Sequence, residues 1–390
     1  LNKILNTKLI LLIYFLVAVA ISLVQYFKQG ATFNGTAYTH YNNYLIFKNS
    51  WAHLISNQNL YLQFPNEYYD LFKYSPTFAV FMLPFHYLPD LIGLTIWNLC
   101  NHMTLVIGFI MLRDVTEKQK TLMGLFSLIE LTTATHNSQS NALVAGLVII
   151  AFAMFQRQKF TLAAFLISIS AFIKIFSIVA FIIFLLRPTI LKSIIKIALS
   201  TIILFALPLL FIKPQQLFDQ YQNWLFMLAA DHSSSTGLSL MGIIELYTGS
   251  TDSKNGILIL GILLFFIPVI VVWKKIKNEL WLLSMLLLWL VIFNHKSESP
   301  TYIIAIAGIA IGIFHQAQLN KIDWLFLILV GIGCQLITTD LFPPSWRNNF
   351  FKPYLIKAIP CIALYSYWII IGTYSIFSPL SSKKTISNTP

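Results

Sequence analysis

The sequence predicts an all-α polytopic membrane protein: about 12 transmembrane helices in a single bundle, with a long external loop after the first. Three observations predict it. The 390 residues are 57% hydrophobic, with a mean hydropathy of +0.74 and 10% charged residues; a soluble domain is about a quarter charged. Apolar runs near the length of a bilayer span recur along the chain. Basic and acidic residues collect at opposite ends of those runs.

The runs fall at 9–27, 91–112, 121–135 and 141–156, then as two short limbs at 160–173 and 175–186, then at 193–212, 256–273, 280–294, 301–314, 322–340 and 354–377. The first is long enough to span and lacks a small-residue cleavage site, so it reads as span one. Threaded this way, Lys8, Arg113, Lys120, Arg157, Lys196 and Lys321 share a face with ten more of the 26 Lys and Arg. By the positive-inside rule that face is cytoplasmic. Glu67, Asp70, Asp90, Asp219, Glu298 and Asp340 fall on the other face. The whole chain, 1–390, is then one membrane domain with external loops at 28–90 and 213–255 and a cytoplasmic tail at 378–390. It sits in the cytoplasmic (inner) membrane with its chemistry on the extracytoplasmic face.

The net charge of +12 would suggest nucleic acid in a soluble protein. Here it holds topology, so the lipid bilayer is the expected partner and nucleic acid is not. Cys100, Cys334 and Cys361 lie in apolar stretches without zinc-ligand or disulfide spacing. No metal and no cofactor is expected.

The limbs at 160–173 and 175–186 carry Lys174 between them, in AFIKIF (171–176), with basic residues flanking both outer ends. That pattern predicts a short hairpin lining a water-filled cavity, where a buried charge is tolerated. The alternative is one tilted helix with Lys174 snorkelling. A fixed cation at that depth suits a phosphate at the bilayer surface.

Other polar groups fall at the same external level. The first loop holds Glu67, Asp70 and Lys73 among aromatics. Loops longer than about 15 residues usually carry function or are disordered, and this one is too apolar for disorder. On a helix, Glu67 and Asp70 would share a face, as a general base or a metal-ligand pair. Glu130 lies inside a span, followed by His136, Gln139 and Asn141. An intramembrane carboxylate is a functional candidate, and an amide pair suits sugar hydroxyls. NHKSESP (294–300) adds His295, Lys296 and Glu298. For each cluster the bland alternative is a polar turn or a solvated interfacial loop.

In order and spacing these segments resemble Glycosyltransferase family 87, polyprenol-phosphate-dependent enzymes of the GT-C fold that include mycobacterial mannosyltransferases. The resemblance is carried by NYLIF (43–47), LY (60–61), KYSP (73–76), LPFHYLP (83–89), SQSN (138–141), AFIKIF (171–176), GLSLMG (237–242) and NHKSESP (294–300). It implies a GT-C-like bundle and an inverting hexosyltransferase. Such an enzyme moves a hexose such as mannose from a polyprenyl-phosphate sugar donor to a hydroxyl of a glycan or glycolipid acceptor. Lys174, Lys73, His295 and Lys296 would hold the donor phosphate; Gln139, Asn141 and Glu298 would hold the sugar.

Two departures follow from the same comparison. Asn43 stands where the family carries an aspartate base, and an amide cannot take a proton. The base then passes to Asp70 or, second, Glu67, or the reaction leans on dissociative departure of the phosphate. Ser138 stands where the family's GQxN motif has glycine. The alternatives are a lipid-glycan flippase or transporter using the same cavity, and an inactive relative that binds lipid-linked sugar or scaffolds an assembly.

The topology makes a direct prediction. A cysteine placed near Asn57 will react with an impermeant thiol reagent applied from outside. Labelling only after permeabilisation would reverse the arrangement and the active face with it.

Overall fold

The computed structural model describes residues 6–33, 36–186, 190–230, 237–250, 254–273, 278–295 and 297–377. Lys296, Arg187, Lys274, Lys275, Lys277, Asp231, Asp252 and the tail 378–390 lie outside the described residues. Among the described residues the regular structure is helical apart from one hairpin. Helix α1 (Thr7–Phe27) starts at Asn6, whose side chain accepts from the Leu9 amide at 2.8 Å. Strands β1 (Ala31–Phe33) and β2 (Thr36–Tyr38) pair antiparallel, Ala31 opposite Tyr38. The loop then folds as α2 (Asn42–Ile55), α3 (Pro76–Phe81) and α4 (Leu83–His86).

The bundle follows with α5 (Asp90–Met111), α6 (Glu117–His136), α7 (Asn141–Gln156) and α8 (Phe160–Ile173), then a 3-10 helix (Ile175–Leu186) and α9 (Ile190–Ala206). Helices α10 (Pro214–Ala230) and α11 (Leu240–Thr248) fill the second loop. The chain ends with α12 (Lys254–Val271), α13 (Glu279–Ile292), α14 (Tyr302–Phe314), α15 (Lys321–Val330), α16 (Pro344–Trp346) and α17 (Ile359–Phe377).

Every predicted run corresponds to a helical segment. Among the described residues, six helices are long and apolar enough to cross a membrane, and five shorter apolar ones accompany them. With α6, whose polar residues lower its hydropathy, they account for all twelve runs. Helices α13 and α14 are apolar on all sides and buried along nearly their whole length, so they form the centre of the bundle. Exposed apolar side chains cover α1, α9 and α12 instead, as on lipid-facing helices.

The short limbs at 160–186 form the predicted hairpin. Phe184, near the end of the 3-10 helix, packs 6.4 Å from Phe160 at the start of α8. The reversal is possible because Lys174 is extended (φ −135°, ψ 111°). Its carbonyl is taken by the Ser177 amide and hydroxyl, and the Ser170 hydroxyl donates to Ser177 at 2.9 Å.

Small residues allow the tightest approaches. A Cβ on Gly146 of α7 would come 2.5 Å from the Thr104 carbonyl carbon of α5. Gly146→Ala will therefore push two backbones apart and cost roughly 1–3 kcal/mol. Gly256 has nothing within 4 Å of its virtual Cβ. Thermal unfolding in detergent will show a lowered midpoint for Gly146→Ala and none for Gly256→Ala.

Candidate active site

Four segments build the site. The first is Lys73–Pro76. Ser75 caps α3, accepting from the Phe78 amide at 3.2 Å, with Pro76 preset at the first helical position. The Ser75 hydroxyl donates to the Phe172 carbonyl at 2.5 Å, in the last turn of α8. The Tyr61 hydroxyl donates to the Tyr74 carbonyl at 3.0 Å, and Thr77 donates to the Leu204 carbonyl at 2.8 Å. The segment is thus pinned beside the Lys174 break.

The second is the turn from α6 to α7. Ser138 sits in left-handed backbone (φ 49°), where a side chain is disfavoured and glycine is not. This is the position where the related motif carries glycine. Here the strain is offset by contacts: Gln25 of α1 donates to the Ser138 hydroxyl at 2.9 Å and to the His136 carbonyl at 3.0 Å. Trp97 donates to the Ser138 carbonyl at 2.8 Å, and Asn101 accepts from the Leu143 amide at 3.0 Å. The turn presents Gln139 and Asn141.

The third is Lys174 itself. Its ammonium lies 5.7 Å from the Tyr74 ring centre and 6.0 Å from that of Phe176. The fourth is the turn before α14. Leu238 donates to the Ser297 carbonyl at 2.7 Å, tying GLSLMG to this turn. Glu298 accepts from the Gln139 amide at 2.8 Å, and Gln139 accepts from Asn141 at 2.7 Å.

The four segments enclose a cavity of about 860 Å³. Asn43, Asp70, Lys73, Gln139, Lys174, His295 and Glu298 all line it, so seven predicted site residues meet. An apolar wall comes from Ile175 and Phe176 of the 3-10 helix, Trp224 and Leu228 of α10, Leu258 of α12 and Trp289 of α13. Asn141 lies behind Gln139, buried, with its Oδ1 unpartnered. Burial raises the Tyr74 phenol above its ordinary value, and the Ser140 hydroxyl at 3.2 Å partly offsets this. Tyr74 therefore keeps its proton. Among the described residues no three His, Cys, Asp or Glu gather as metal ligands would.

Two expectations about the first loop change. Glu67 and Asp70 share no helix face, because the chain from Asn66 to Ser75 is irregular. Pro65 precedes this stretch and Asp70 is left-handed (φ 80°). Asp70 lines the cavity, accepts from the Leu71 amide at 2.7 Å and lies 3.8 Å from Lys73. Glu67 turns away into a second pocket of about 350 Å³, where it pairs with His53 at 3.0 Å. Asn43 sits on α2 and donates to the Asn137 carbonyl at 2.8 Å, so it fixes the 137–141 turn against the first loop.

Sequence reading missed Gln25, Trp97 and Asn101, which hold that turn, and Asn98, which donates to the Gln25 Oε1 at 3.2 Å. The signal was present: Gln25, Asn98 and Asn101 are polar groups within predicted spans, and such groups are costly unless paired. Ser138 tests the arrangement. Glycine there relieves left-handed strain of about 1–2 kcal/mol and loses one hydrogen bond worth about 1 kcal/mol. Ser138→Gly will unfold close to the parent temperature, whereas the β-branched Ser138→Val will unfold several degrees lower.

The model for Glycosyltransferase family 87 matches residues 72–294, more than half of the chain. No curated protein matches. Among solved structures, the crystal structure of ArnT from Cupriavidus metallidurans bound to undecaprenyl phosphate matches with 12% identity and a TM-score of 0.47. That alignment covers 94% of this chain and 77% of that one. The matched family segment contains Lys73, Gln139 and Lys174, three of the residues lining the cavity. The chain belongs to Glycosyltransferase family 87.

Proposed function

We propose that this protein is an inverting hexosyltransferase. It takes a hexose, mannose being the first candidate, from a polyprenyl phosphate and places it on a hydroxyl of a glycan or glycolipid at the outer face of the cytoplasmic membrane. One observation carries the reading: a single cavity joins two lysines, two carboxylates and several amides to an apolar wall. Cations and apolar surface side by side suit a lipid phosphate, and the carboxylates and amides suit a sugar.

In this reading Lys73 and Lys174 hold the phosphate, with His295 at the rim. The polyprenyl chain lies along Ile175, Phe176 and Trp289. Gln139, backed by Asn141, and Glu298 hold the sugar hydroxyls. The acceptor oxygen attacks the anomeric carbon on the face opposite the phosphate. The bond from that carbon to the phosphate oxygen breaks, and the phosphate leaves with the electron pair. Lys174 neutralises the charge that develops there. The acceptor proton passes to Asp70, which lines the cavity where Glu67 does not. Asn43 keeps its place in the loop but positions the 137–141 turn instead of taking the proton.

Labelled polyprenyl-phosphate hexoses incubated with purified protein and acceptor glycans test the assignment. Asp70→Asn will lower transfer about a hundredfold and leave donor binding nearly intact. Lys174→Met will weaken donor binding at least about tenfold with little change in unfolding temperature. Transfer by Asp70→Asn at the parent rate would remove the base assignment. A parent that binds these lipids and transfers from none of them would be a binding protein instead.

A further inference from the structure

Glu130 and Lys357 form an ion pair that the steps above do not use. Glu130 lies on α6 with its side chain 0% exposed, Lys357 just before α17 with 3% exposed, and their charged atoms are 2.7 Å apart. The second Glu130 oxygen has no hydrogen-bond partner. Lys357 also donates to the Ser299 hydroxyl at 2.8 Å and lies 5.2 Å from the Tyr302 ring centre.

Ser299 follows Glu298 directly. On the other side of Glu298, the Ser297 carbonyl accepts from the Leu238 amide. Leu238 is itself held, because the Tyr302 hydroxyl donates to its carbonyl at 2.8 Å. Glu298 is therefore gripped on both flanks, and its carboxylate accepts from Gln139. Gln139 follows α6 by a single turn, and Glu130 is on α6. One helix thus reaches the Glu298 segment twice: through Gln139 to its side chain, and through Glu130 and Lys357 to the next residue.

We infer that Glu130, Lys357 and Ser299 are positioning residues that set Glu298 against Gln139 and so fix the part of the cavity that contacts the donor sugar. The inference rests on the sugar-holding assignment above. A buried ion pair is a poor way to gain stability alone, since well-packed apolar residues of similar size often do as well. A lysine that satisfies a carboxylate and also orients a neighbouring turn supplies what apolar packing cannot: a fixed direction.

Ser299→Ala tests it in the full chain in detergent, because it cuts the link without stranding a charge. The probes are a short-chain polyprenyl phosphate and the same lipid carrying mannose. Ser299→Ala will lose about fivefold to tenfold of the parent's preference for the mannose-bearing lipid, as expected for the loss of one hydrogen bond, and will bind the sugar-free lipid as the parent does. Ser299→Thr will restore the preference. The paired variant Glu130→Gln with Lys357→Met will lose the same preference, and adding Ser299→Ala to it will lose little more. Hydrogen exchange will be faster over 297–302 in Ser299→Ala at an unchanged unfolding temperature. Equal loss for both lipids, or unchanged exchange over 297–302, overturns the inference. A parent that does not distinguish the two lipids would count against mannose as the donor sugar, and the exchange result then decides the positioning role by itself.

Discussion

Backbone that leaves a helix at membrane depth must have each freed polar group satisfied from within the protein, and this site depends on that constraint. At Lys174 the chain is extended, so carbonyls on either side lose helical partners. Ser75 reaches from the first loop to the Phe172 carbonyl, and Ser177 turns back to the Lys174 carbonyl. Ser177 ends the helix here by offering the Lys174 carbonyl a hydroxyl in place of a helical partner. The Ser75 contact also docks the first loop onto the hairpin, so capping the break and assembling the cavity are one event.

The 137–141 turn obeys the same rule by a different route. Its carbonyls at His136, Asn137 and Ser138 are taken by Gln25, Asn43 and Trp97. Those residues come from the first span, the first loop and the second span. A conformation strained at Ser138 persists because its surroundings over-determine it. Asn43 shows why an amide can keep a place once suited to a carboxylate. Its Nδ2 donates to a carbonyl oxygen, which a carboxylate oxygen could not do. Asn43 is thus a strut between the first loop and this turn, and Asp70 lines the cavity nearby.

Much of this was legible in the sequence. Hydropathy and the sign of loop charges located all twelve runs, because burying backbone in lipid leaves few alternatives to helix. Lys174 was legible because a lysine between two limbs too short to span demands a cavity. The relation between Glu67 and Asp70 was not. Sequence spacing places side chains only where secondary structure is known, and Pro65 with left-handed Asp70 makes the stretch irregular. The contacts of Gln25 and Asn98 were illegible for another reason: they join residues more than seventy positions apart in the chain, and no local pattern encodes that.

Glu130 shows how burial and function separate. A carboxylate inside a span is a functional candidate because the charge is costly there. Lys357 meets that cost, 227 residues away in sequence, so Glu130 itself does not touch the cavity. Yet a pair held in a low-dielectric interior is stiff, since moving either charge away from the other loses a large attraction. Such stiffness is of little use in lipid-facing helices such as α9 or α12, which need only remain apolar. It is useful where a turn must hold a carboxylate to within a few tenths of an ångström. The pair lies beside the one turn, among those lining the cavity, that carries a carboxylate on a bundle helix's approach rather than in the first loop. Rigid charge is placed where direction matters, and apolar packing is left to the remainder of the bundle.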